Sequence, residues 1–294
     1  MEPQYEAMAA ELEATNDYRV LRRLVPRGPA SGVMSSARMA LYVDVETTGL
    51  DARQDEIIEL AMVPFWYGPD GHVMGCGEPF QAFNEPSLPI TGEIQALTGI
   101  TNEMVSGHRI DPVAVVEVAA PAVLVVAHNA AFDRRFLERL DAVFTTKAWA
   151  CSMSQIDWAR DGHEGTKLGY LAQACGFFYD RHRAVNDCFA AIELLARPLR
   201  RGGRPAMAEL LDRARAPTWR IWAENSPFDL KDLLKARGYR WNGEAGTSPR
   251  AWYVDVDEAS VQGELTFLKS EIYQREIDLL TRRIDAHDRF SDRC

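Results

Sequence analysis

The sequence predicts an α/β domain, a mixed sheet flanked by helices, with a helical arm before it and a small α+β module after it. Three observations point there. Short apolar runs separated by turn residues open the main part of the chain, one further strand and a series of helices follow, and a basic Pro/Gly segment then sets off a second, shorter group of elements. A length of 294 residues suits about two domains, and a composition 47% hydrophobic and 26% charged is enough to bury a core.

Residues 4–24 place Leu, Val, Ala and Met at spacings of three and four, which predicts one or two helices ending before Val25-Pro26-Arg27-Gly28-Pro29. A Pro/Gly/Ser stretch to about Ser36 reads as a linker and completes an arm over 1–37. LYVDVE (41–46) alternates as a strand, IIELAMVPF (57–65) is a second, and GPDG (68–71) turns into a third, so a meander opens the domain. Helical stretches at 92–97 and 112–120 precede a strand at 122–127. Helices are expected over 130–140, 152–161, 167–175 and 184–195, closing a domain of 38–197. A basic hinge with a short helix spans 198–217. The module over 218–294 reads as strand (219–223), helix (228–237), strands (239–241 and 251–256) and a helix with Val261, Leu265, Leu268 and Ile272 on one face.

Composition excludes several classes. The longest apolar run, 118–127, contains Pro121 and falls far short of the roughly 20 residues of a membrane span. The acidic N-terminus has neither a basic nor an apolar region of an export signal, and five cysteines without a CxxC pair fit free thiols, so a cytoplasmic protein with no membrane partner is expected. A net charge of −10 argues against bulk electrostatic binding of nucleic acid, yet residues 197–240 carry +6 and leave −16 on the rest.

Four acids stand at informative places. Asp44 and Glu46 lie two apart on a strand whose other face, Leu41, Val43 and Val45, is apolar, so both acids fall on one side, where they repel unless a cation joins them. Alone, that pattern equally describes a solvated strand face. Asp133 follows the apolar strand through HNAAFD, just past the strand end where open α/β sheets gather ligands; it is also an acid favoured by the first turn of a helix. HRAVND puts His182 before the last helix of the domain and Asp187 on it. Four carboxylates, if brought to one site, offer hard oxygen ligands for Mg²⁺ or Mn²⁺, and a histidine titrating near neutrality suits a general base.

YVDVETTGLD, AHNAAFD and HRAVND, in this order and with IQALTGIT between the first two, resemble the motifs of the DEDDh 3′-to-5′ exonucleases. The likeness is to the proofreading epsilon subunits of bacterial DNA polymerase III and their stand-alone relatives, and it covers roughly residues 40–196. It implies an RNase H-like fold, two divalent metal ions held by Asp44, Glu46, Asp133 and Asp187, and His182 acting on the attacking water. It further implies release of nucleoside 5′-monophosphates from DNA 3′ ends, in proofreading or repair and beside a polymerase or repair partner. Thr47, Thr48, Gly49 and Leu50 would hold the terminal nucleotide, with Leu50 against its base, and His128, Asn129 and Phe132 would line the same pocket. Gly49 is read as a close backbone approach to substrate or a positive φ, and Phe132 equally as helix-to-sheet packing.

The tail departs from the epsilon pattern, lacking a glutamine-led clamp peptide after Arg197. Its layout is loosely like small DNA-annealing modules attached to some helicases. Trp219, Trp222, Tyr239, Trp241, Trp252 and Tyr253, interleaved with basic residues, either stack single strands or fill a small core; Arg237, Tyr239, Arg240 and Trp241 are the expected strand contacts. Two other readings stand beside the DNA exonuclease. One is an exoribonuclease, since nothing in the sequence reads the 2′-hydroxyl unambiguously. The other is a non-catalytic polymerase-associated nucleic-acid-binding subunit, whose signature would be a lost carboxylate or histidine, whereas all five are present.

Overall fold

A computed structural model describes residues 3–29, 36–243 and 248–293. It divides into two compact units, Met1–Leu211 and Asp212–Cys294. Most of the linker expected before Ser36 lies outside the described residues.

The first unit begins with helix α1 (Pro3–Ala14). The helical periodicity expected to run to residue 24 stops there. Strand β1 (Arg22–Arg23) instead pairs in parallel with β8 (Phe177–Phe178), Arg22 donating to the Gly176 carbonyl and Leu24 to that of Phe178. A tertiary partner for the backbone thus outweighs a weak helical pattern.

The main sheet is built on β2 (Arg38–Thr47) and β3 (Ile57–Tyr67), an antiparallel pair in register from Arg38↔Tyr67 to Thr47↔Ile57. β4 (Val73–Cys76) and β5 (Phe80–Phe83) share the far edge of β3, and β6 (Leu124–Ala127) and β7 (Trp149–Cys151) extend the sheet in parallel from β2, so the sheet is mixed. β3 is buried along most of its length, which explains its unbroken apolar run. The GPDG turn places Gly71 at φ +82, where an added Cβ would stand 2.5 Å from the Ala208 backbone, so only glycine fits.

Short helices α2 (Gly92–Thr98), α3 (Asn102–Val105) and α4 (Pro112–Ala119) start on Thr91, Thr101 and Asp111, each accepting a backbone N–H of its own first turn. α5 (Ala130–Leu140) follows β6, α6 (Leu168–Ala174) precedes β8, and α7 (Ala184–Ala196) packs across β2 and β3, its buried Cys188 thiol against the Tyr42 and Ala61 carbonyls. The helix expected over 152–161 is a series of turns. The Ser152 N–H is drawn to the Ala127 carbonyl beside β7 and the Trp158 indole donates to the Ser152 carbonyl, which burial of Ile156 and Trp158 accompanies.

Helix α8 (Ala206–Arg215) straddles the division between the units, its Met207, Leu210 and Leu211 buried. In the second unit β9 (Thr218–Ala223), β10 (Arg240–Trp241), β11 (Trp252–Asp257) and β12 (Thr281–Ile284) form an antiparallel sheet in the order β10-β11-β9-β12. α9 (Lys231–Ala236) and α10 (Val261–Phe267), the latter continuing as a π-helical turn to Tyr273, close a core of Ile221, Leu234, Tyr239, Leu268 and Ile272. Cys76, Cys151, Cys175 and Cys188 are free thiols. Among the described residues no helix is long and apolar enough to cross a membrane.

Candidate active site

β6 pairs with β2 only at Ala40, Leu41 and Tyr42, so β2 runs on past the end of β6 with one edge unpaired. That overhang carries the two acids, Asp44 and Glu46. The donor on that edge, the Val45 N–H, is met by Oδ1 of Asp133 at 3.2 Å, from the first turn of α5. Asp133 is 3% exposed. From the other side α7 brings Asp187, whose Oδ1 accepts the Tyr179 hydroxyl at 2.7 Å and whose Oδ2 accepts the His182 backbone N–H at 2.9 Å. One oxygen each from Asp44, Glu46 and Asp187 lies within 4.8 Å of the others. Asp133 stands beside this group rather than within it.

The acids are expensive to hold together. Burial, then the charges of Asp133, Asp187 and Glu46, pushes the Asp44 carboxyl well above its ordinary range. Burial and Asp187 push Glu46 up to about 8, and burial pushes Asp133 up to about 7 against the opposing Val45 N–H. Asp187 is raised by burial even though Tyr179 and the His182 and Arg183 backbone favour its charge. Burial and the Asp187 charge push the Tyr179 hydroxyl up, which keeps it a donor.

His182 is exposed and sits in the left-handed region at φ +63, uncommon for a residue with a Cβ, and its imidazole is near enough to favour the charged form of Asp187. The chain after β2 is a tight turn: the Thr47 hydroxyl donates to the Gly49 carbonyl, the Thr48 hydroxyl to Asp55, and the Asp51 N–H to the same carboxylate. This corrects the positive-φ reading of Gly49. It has no positive φ among those of the chain, and a Cβ there would stand 2.5 Å from the Asp55 carboxylate, so the glycine makes room for an internal brace. Leu50 projects from the turn with 86% of its surface exposed.

His128 lies at the end of β6 but is fully engaged within the fold, Nδ1 with the Ser152 hydroxyl at 2.9 Å and Nε2 with the Thr166 carbonyl at 2.6 Å. The carbonyl requires Nε2 to carry the hydrogen, and burial lowers this imidazole to about 4, so it is a neutral brace whose ring nitrogens are both occupied. Asn129 caps α5 without a side-chain bond and is exposed, while the Phe132 ring packs 4.9 Å from that of Phe136.

In the second unit the expected strand contacts separate. Tyr239 is buried in the core with its hydroxyl on Glu264, which corrects its reading as a stacking residue. Arg237 pairs with the same Glu264, Arg240 pairs with Asp255, and Trp241, 52% exposed, rests edge-on against Trp252. Of the other aromatics, Trp222 is buried.

Two residues beside the site were not singled out by sequence. Tyr179 gave no signal. Glu59 did: it is the one charged residue in the apolar run of β3, it is fully buried, and it stands directly across from Glu46.

The exonuclease family model RNase_T matches residues 41–195, the stretch that holds every one of these acids. The PolC-type DNA polymerase III of Clostridium perfringens is 35% identical over 161 residues, 52% of this chain and 10% of its own length. That of Halalkalibacterium halodurans is 43% identical over 162 residues, 52% of this chain and 11% of its own. The chain thus spans about a tenth of the length of these curated relatives. A metal-free form of the E. coli ExoI–ssDNA complex matches with a TM-score of 0.50 at 15% identity, over 75% of this chain and 62% of that one, a likeness of fold.

Proposed function

The chain belongs to the RNase_T exonuclease family, and on that premise we propose that it removes nucleoside 5′-monophosphates one at a time from 3′ ends of DNA, using two divalent cations. The observation that carries this reading is the convergence of Asp44, Glu46 and Asp187 on oxygens within 4.8 Å of one another, with Asp133 beside them. Buried carboxylates whose charges all oppose one another are a poor arrangement by themselves and a good one around Mg²⁺ or Mn²⁺, and the donor set holds no sulfur or imidazole nitrogen that would favour zinc. When bound, such cations neutralise charge at the scissile phosphate and make the attacking water more acidic. Asp44, Glu46, Asp133 and Asp187 would hold them. His182 accepts the proton of that water, Thr47, Thr48 and Gly49 hold the terminal nucleotide, and Leu50, projecting into solvent, packs on its base. The names of the PolC relatives support DNA over RNA and a polymerase as partner, and four free thiols support a reducing compartment such as the cytoplasm.

The test is hydrolysis with Mg²⁺ of 5′-labelled single-stranded DNA, duplex DNA with a mismatched 3′ end, and RNA. A ladder shortening from the 3′ end of DNA is expected. Early internal fragments would overturn the exonuclease reading, and faster loss of RNA would move the substrate to RNA.

Stability offers an independent check on the cations. The folded protein holds protons on Glu46 and Asp133 up to about pH 8 and 7, whereas an unfolded chain releases them near pH 4. Between those limits the native state binds more protons than the unfolded one, so the stability contributed by these groups is greatest at the acid end and is lost as pH rises through about 7 to 8. Protein stripped with a chelator is therefore expected to lose Tm between about pH 5 and pH 8, and Mn²⁺ should raise Tm more at the higher pH. A Tm indifferent to Mn²⁺ at about pH 8 would count against a cation at this cluster.

A further inference from the structure

We propose that Glu59 and Arg183 form a positioning pair that fixes the loop carrying His182 against the strands that carry the acids. The inference rests on the role assigned to His182 above. Glu59 is fully buried on β3, opposite Glu46 on one neighbouring strand and Phe83 on the other. It is not one of the clustered acids, because its oxygens are turned to other donors. Oε1 accepts Nη2 and Nε of Arg183 at 3.0 and 3.3 Å and Nε2 of Gln81 at 2.5 Å, and Oε2 accepts the Ala184 backbone N–H at 3.1 Å.

Those partners are unusual in their placement. Arg183 is the N-cap of α7 and supplies no side-chain cap of its own, so the first N–H of the helix is satisfied by a carboxylate reaching across from β3, where the helix dipole also favours a negative charge. The Arg183 guanidinium lies over the Phe83 ring, 5.5 Å from its centroid, and so is confined between β5 and Glu59. His182 immediately precedes this anchor in a left-handed backbone conformation, which persists only where its surroundings impose it. Two restraints do so. The His182 N–H is held by Asp187 on one side, and Arg183 and Ala184 are held by Glu59 on the other.

Stability alone does not account for the pair, since a buried ion pair contributes little more than well-packed apolar residues would. What it adds is geometric. Because Glu59 and Glu46 are cross-strand neighbours, the pair ties the His182 loop to the position of Glu46, and a histidine that must meet one water is sensitive to displacements of about 1 Å.

The test uses the full-length protein. Glu59→Gln keeps the volume and an acceptor for Ala184 but removes the charge that orients Arg183, which is partly exposed and can turn to solvent. It is expected to lower kcat by roughly tenfold to a hundredfold, with KM, DNA affinity in Ca²⁺ and Tm little changed. The decisive comparison repeats the substitution on His182→Asn, where the imidazole is gone and the left-handed backbone is tolerated. There Glu59→Gln should change kcat less than about twofold, the coupling expected of residues that act as a unit. An equal loss in both backgrounds would show that Glu59 acts on the acids and not on His182, and no loss in either would overturn the pair altogether. If His182→Asn alone leaves kcat unchanged, the fault lies with the role of His182, and Glu59 has nothing to position. Should Glu59→Gln fail to fold, Arg183→Lys takes its place: it keeps the charge, loses the two-pronged fork, and is expected to show a smaller loss with the same dependence on background.

Discussion

Asp44→Ala is expected to lower the rate of 3′-end hydrolysis by roughly 10³-fold or more, and Asp187→Ala by a similar factor, because each removes an oxygen from the only cluster of three acids among the described residues that lie within ligand distance of one another. The loss should appear in kcat, measured as release of 5′-monophosphates under saturating Mg²⁺. Stability is expected to move the other way. Burial, then the charges of Asp133, Asp187, Glu46 and Glu59, all raise Asp44, so an uncharged residue there removes the cost of burying a charge beside four other carboxylates. Asp44→Asn, which keeps the shape, should raise the Tm of chelator-treated protein near neutral pH while abolishing activity, the exchange of stability for function expected where like charges are held together. Near-normal turnover in both alanine variants would sink the assignment of the site. A lower Tm for Asp44→Asn in the absence of cations would show instead that this carboxylate supports the fold.

The parts of the fold that sequence reasoning reached are those where one face of an element decides its position. β2 and β3 announce themselves by apolar patterns, and the helix expected over 130–140 is found as Ala130–Leu140 because its apolar stripe meets the sheet where β6 ends. Where a backbone group found a distant partner, local pattern misled. Residues 22–23 leave the helical pattern to pair with 177–178, and residues 152–161 give up a helix to satisfy Ala127 and bury Trp158. β12 has no pattern of its own, with Thr281, Arg282 and Arg283 in its four residues, and exists because β9 offers it an edge. The acids were legible because the chemistry of a cation site requires them in fixed places along strands and helices. Their supports were less so. Gly49 is explained by Asp55, six residues on, and the N-terminus of α7 by Glu59, more than a hundred residues back, and neither relation is periodic. Glu59 was nonetheless available to be found: a lone carboxylate inside a buried strand must have a partner, and the motif arginine next to His182 is that partner.

His182→Ala is expected to depress turnover by roughly 10²- to 10⁴-fold, the range usual for loss of a positioned general base, while affinity for DNA in Ca²⁺ stays nearly intact. The separation follows from where the residue sits. Only its backbone N–H touches the acids, through Asp187, so the side chain can be removed without taking an oxygen from the cluster. The backbone, however, sets a trap for that experiment. At φ +63 an alanine is strained where histidine is already uncommon, and a slow His182→Ala enzyme could owe its loss to a loop that has moved away from Asp187. His182→Asn and His182→Gly resolve this, because asparagine visits the left-handed region readily and glycine without penalty. If the imidazole takes the proton, all three variants should be slow to a similar degree and should bind DNA alike. Recovery of turnover in His182→Gly or His182→Asn would make position 182 a matter of backbone shape, and the search for the base would then pass to another group at the site.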